Sequence, residues 1–126
     1  MSVLEFRISG GMPFKVTPCY SPRIVTLQEF KDSCSQENPP EGLARPLMAL
    51  WYDFKGDWER SHEIAQEINS KIGYRIHGYL HQKEGDLSNA AYWYRRASQL
   101  ESKMSSFEHE WEEIAISILK VSKFGD

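Results

Sequence analysis

The sequence predicts an all-α protein, two stacked antiparallel helical hairpins closed by a C-terminal capping helix. Three observations carry that prediction. Gly56 and Asp57 recur as Gly85 and Asp86 inside a longer repeat at an offset of 29. Five of the six prolines lie before residue 43, so the rest of the chain is almost free of helix breakers. Near the end, Phe107, Trp111, Ile114, Ile118 and Val121 recur at helical spacing.

Composition bounds what such a chain can be. With 126 residues, 40% hydrophobic and 13% aromatic, it has the material for one domain with a real core. The formal net charge is −3, and Lys and Arg are mixed with Asp and Glu throughout. That leaves no basic stripe to neutralise phosphates, so nucleic acid is not the expected partner. No apolar run approaches the ~20 residues of a membrane span, and "MSVLEFRISGG" lacks a basic segment followed by an apolar one. A soluble, cytoplasmic protein is the expectation. Cys19 and Cys34 lie outside any CxxC spacing and read as free thiols.

The chain divides into an irregular segment, residues 1–42, and a helical-repeat domain, residues 43–126. In the first, "TLQEFKDSCSQ" forms a short helix, with Thr26 as N-cap and Glu29 completing a capping box. The preceding "MPFKVTPCYSPRIV" either lies over the core through Phe14, Val16, Tyr20 and Ile24 or stays partly disordered.

From residue 43 to 98 the repeat sets Trp58 on Leu87, Ser61 on Ala90, Ala65 on Tyr94 and Ile68 on Ala97. Small and apolar positions thus recur in register, as stacked helical units require. Each Gly ends a helix in the left-handed conformation, and each Asp is placed to cap the next one. Near the C-terminus, residues 102–124 read as one amphipathic helix, acidic in its first turns and basic near its end.

The second hairpin resembles a tetratricopeptide repeat, whose pattern is W-x2-L-G-x2-Y, A-x3-F, P. Tyr74, His77, Gly78 and His81 occupy the first four slots, and Ala90 and Tyr94 the next two. Met48, Ala49, Tyr52, Ser61 and Ala65 match more loosely in the first hairpin. The repeat length differs from the family's 34 residues, and Ser102 stands where the closing proline would be. The resemblance implies helical hairpins, and with Gly78 as the point of close approach it sends His77 and His81 to an inner seam. The longer string from Leu50 to Ala97 also resembles a family of small proteins with the same tryptophans, Gly-Asp turns and histidines, which implies a fold and no activity.

Those histidines raise the chemical question. His77 and His81 are spaced i, i+4, so one helix presents both imidazoles on one face. His62 lies on the preceding helix at a similar distance from the intervening turn. Together they offer a three-histidine site for zinc or another first-row divalent metal, with Asp53, Asp57, Glu63 and Glu84 as carboxylate ligands or supports. The competing reading makes His77 and His81 core residues hydrogen-bonded to Tyr92, Tyr94 or backbone, and the lack of an HExxH-type string favours it.

Aromatic residues outnumber what a small bundle buries. Trp51, Trp58 and Tyr94 are expected in the seams, whereas Arg75, Tyr79, Trp93 and Arg95 are expected to form a surface for a protein or peptide ligand. No phosphate loop, nucleophile elbow or catalytic cysteine string is present, and the Gly-Asp turns lack the calcium-loop series. A small helical scaffold or binding module is therefore expected, with a metal-binding protein or metal-dependent enzyme as the alternative. Exposed lateral faces add the expectation of a homodimer.

Overall fold

Helix boundaries fall where the turn chemistry puts them. The computed structural model describes residues 7–8, 10–11, 24, 26–98 and 106–125, and the fold is all-α. Its helices are α1 (Leu27–Ser33), α2 (Arg45–Phe54), α3 (Trp58–Gln66), α4 (Lys71–Glu84), α5 (Leu87–Arg96) and α6 (Phe107–Gly125). The extended pairing among the described residues is two residues a side, Arg7–Ile8 with Gly10–Gly11. Phe14, Val16, Tyr20, Cys19 and Ser102 lie outside the described residues.

The short first helix forms as its capping box dictates. The Thr26 hydroxyl accepts from the Glu29 N–H, and the Glu29 carboxylate accepts from the Thr26 N–H. Phe30, fully buried, stacks on Trp111 at 5.3 Å and so joins α1 to α6. Ile24 packs against the same core. Cys34 follows as a buried free thiol, and burial pushes its pKa up to about 11 against the opposing effect of Lys55.

Both Gly-Asp turns use a left-handed glycine, Gly56 at φ +88° and Gly85 at φ +90°. Their aspartates then differ. The Asp57 carboxylate accepts from the Arg60 N–H and caps α3, whereas Asp86 makes no such bond and accepts from the Asn89 side-chain amide at 3.2 Å. The expectation of two equivalent caps holds only for the first.

Packing between helices relies on small residues and on polar groups that find partners. Ser61, fully buried on α3, donates to the Ala49 carbonyl of α2 at 2.6 Å. Trp51 and Trp111 donate their indole N–H groups to the Ser33 and Leu50 carbonyls. The α3–α4 connection is tighter still, because a Cβ at Gly73 would lie 2.2 Å from the Ile68 carbonyl oxygen. α6 buries Trp111, Ile114, Ala115, Ile118 and Leu119 and packs on α1, α2 and α4. It therefore bridges both helix pairs instead of covering only the last one. No helix among the described residues is long and apolar enough to cross a membrane.

In most helix interiors, Gly→Ala gains up to about 1 kcal/mol. Gly73→Ala is expected to reverse that sign and lose at least about 2 kcal/mol, because the obstructing atoms include backbone that cannot rotate away. A urea denaturation series comparing midpoints checks it, and a stabilised variant would mean that the α3–α4 turn is looser than described.

Candidate functional site

Helical spacing on α4 places His77 and His81 on one face, and the tight turn before Gly73 folds α3 back so that His62 meets them. The ring centroids stand 4.6 Å apart for His62–His77, 5.1 Å for His62–His81 and 4.9 Å for His77–His81. Two tryptophans wall the cluster. Trp58, one helical turn before His62, stacks on it at 4.8 Å, and Trp93 from α5 stacks on His77 at 4.0 Å. Trp58 is held by its indole N–H to the Leu80 carbonyl at 2.9 Å.

Trp93 reaches His77 because α5 lies unusually close to α4. A Cβ at Gly78 would meet the Ala90 carbonyl at 3.1 Å and the Tyr94 ring at 3.2 Å, so glycine sets the approach. His77 and His81 are buried, and His62 is half-buried at the rim.

Two of the rings hydrogen-bond to each other, and the third to a carboxylate. His62 Nε2 and His77 Nε2 are 2.9 Å apart, so one ring donates there and the other accepts. His81 Nδ1 lies 2.7 Å from Glu84 Oε2. Burial lowers the His77 pKa to about 4, with further lowering from His62 and His81, and burial followed by His81 lowers that of His62. Both rings are thus neutral at neutral pH, with a lone pair on one nitrogen each. The ligand atoms of His62, His77 and His81 all lie within 4.8 Å of one another.

As core residues, His77 and His81 are expected to bond Tyr92, Tyr94 or backbone. Tyr94 instead donates its hydroxyl to the buried Glu110 at 2.7 Å, and the histidines are paired as above. Of the four carboxylates considered as supports, only Glu84 joins the cluster. Asp57 caps α3, Glu63 faces Arg60 at 3.7 Å, and Asp53 accepts from Tyr79 and Lys83 at 2.8 Å each.

The predicted ligand surface does not assemble. Tyr79 is 1% exposed, its ring in the core and its hydroxyl on Asp53, because α6 covers the side of α4 from which it projects. Burial, then Asp53, raises its pKa. Trp93 faces the histidines, Arg75 is half-buried, and Arg95 is exposed on α5. Arg96, absent from that set, lies over the Tyr74 and Trp93 rings at 4.4 and 5.2 Å.

Two signals for what was missed were present in the chain. Trp58 precedes His62 by four residues, a spacing that meets on a helix. Glu110 falls between Phe107 and Ile114 in the apolar stripe of α6, which marks it as buried rather than solvated. No protein-family model, curated protein or solved structure matches the chain.

Because His77 titrates lower folded than unfolded, the unfolded chain binds the extra proton between about pH 6.5 and 4. The stability held by the neutral ring is fully present above pH 6.5 and is lost as pH falls through about 4, by an amount on the order of 2–3 kcal/mol. Urea midpoints from pH 8 to 4 should show this loss in the native chain and much less of it in His77→Gln. Parallel curves for the two proteins would place the ring in solvent.

Proposed function

We propose that the protein binds one divalent first-row metal ion, zinc above all, through His62, His77 and His81. The observation that supports this reading is the convergence of three imidazole donors from two helices, with His81 oriented by Glu84. Neutral imidazole suits zinc, nickel, cobalt and copper, and a carboxylate on the far nitrogen is the usual second partner of a ligating histidine.

The residues fit such an ion with small movements. Tetrahedral zinc with bonds of about 2.1 Å sets ligand nitrogens about 3.4 Å apart. His62 and His77 stand at 2.9 Å, and the whole set is within 4.8 Å, so a modest turn of one ring closes the difference. The proton shared by His62 and His77 moves to Nδ1 of its own ring, a change of tautomer without change of charge. Glu84 accepts the Nδ1–H of His81 and leaves Nε2 as the donor. When bound, the ion supplies a Lewis acid with one coordination position beyond the three nitrogens. Trp58 and Trp93 shield two sides and thereby strengthen its field.

A scaffold role has less support from the same geometry. Two of its four predicted contact residues, Tyr79 and Trp93, are committed to the core and to His77.

Untagged protein stripped with chelator should take up zinc tightly at a first equivalent and melt several degrees higher with it, the shift rising with free zinc. His77→Ala and His81→Ala should lose both effects, and Glu84→Gln should weaken the affinity about 10- to 100-fold. Failure of zinc, cobalt and nickel alike to bind or to shift the melt would overturn the proposal.

A further inference from the structure

His81 belongs to two clusters at once. One side of its ring meets His62 and His77. On the other, Nδ1 is 2.7 Å from Glu84, and donor atoms of His81, Glu84 and Asp86 lie within 4.8 Å of one another. The turn at Gly85 builds this second group. Its positive φ reverses the chain directly after Glu84, and the Asp86 N–H bonds the His81 carbonyl at 2.9 Å, which fixes Asp86 beside the last turn of α4. Asp57, at the equivalent place in the other turn, spends its carboxylate on its helix cap, whereas that of Asp86 is left with one side-chain amide.

We propose that His81, Glu84 and Asp86 form a second divalent-metal site, joined to the three-histidine site through the ring of His81. The inference rests on the first site being a metal centre. An imidazole carries its two nitrogens on opposite edges, so a ring that ligates one ion through Nε2 can ligate another through Nδ1 once the Nδ1 proton has left. That proton passes to the buffer, and Glu84 changes from accepting the N–H to ligating the ion. Charge favours the arrangement, since the resulting imidazolate and two carboxylates oppose the positive charge of two ions that three neutral rings would leave uncompensated. One nitrogen and two carboxylates are donors that zinc accepts. Glu84 is 39% exposed and Asp86 is exposed, so this ion exchanges with solvent more readily than the first and binds more weakly.

The test uses the full, untagged, chelator-stripped chain with 15N-labelled histidine, titrated with zinc. Two equivalents are expected. After the first, His62, His77 and His81 should each retain one ring N–H, and the second should remove only that of His81. Asp86→Asn keeps the first equivalent and should weaken the second by at least about tenfold. The variant is expected to fold, because asparagine caps helices as well as aspartate does and the Asp86 side chain makes no cap bond here. Saturation at a single equivalent, or a second that leaves the His81 N–H in place, would overturn the bridged site while leaving the first intact. No zinc uptake at all would overturn the three-histidine centre and this site with it.

Discussion

The close approach of α4 and α5 at Gly78 is the constraint on which the rest of the site depends. With the Ala90 carbonyl 3.1 Å and the Tyr94 ring 3.2 Å from where a Cβ would sit, a side chain there requires these neighbours on α5 to give by a few tenths of an ångström. The neighbouring residue, His77, stacks on Trp93 at 4.0 Å, so any retreat of α5 loosens one wall of the cluster. Gly73 exerts the matching constraint on the α3 side, so His62 and His77 are brought together by two glycines on one helix. Each glycine sets a distance that the histidines require.

Buried polar pairs hold the remaining helices in register around that seam. Asp53 on α2 accepts from both Tyr79 and Lys83 on α4, and Tyr94 on α5 donates to Glu110 on α6. A buried carboxylate without such donors costs several kcal/mol, so these contacts penalise slippage more than they add net stability. Apolar contacts alone would tolerate small rotations of α4. The bonds to Asp53 do not, and they keep one face of the helix in the core while the histidine face points to α3 and α5.

Electrostatics gives the cluster its chemical character. Desolvation, more than mutual repulsion, keeps His62 and His77 neutral. Neutral rings can share a proton through one Nε2–H···Nε2 bond, and the same lone pairs suit a metal ion. Glu84 reaches His81 from the solvent side, where its carboxylate stays hydrated and still fixes the ring. A polar arrangement is thus built inside a seam that packing alone could have filled with leucine.

Local chemistry made much of this legible in the sequence. The Thr26 capping box, the left-handed Gly56 and Gly85, the helical class and the shared face of His77 and His81 all follow from interactions within a few residues, which a linear reading captures. The convergence of His62 also followed, since a short turn fixes the level of facing residues. Tertiary structure decided the rest. Nothing on its own helix gives a reason to bury Tyr79, and only the placement of α6 across α4, with Asp53 waiting on α2, makes it a core residue. The unequal fates of Asp57 and Asp86, alike in the sequence repeat, were equally hidden. A residue's spacing determines the face it takes on its own helix, but what covers that face depends on contacts with distant parts of the chain, and no local pattern encodes them.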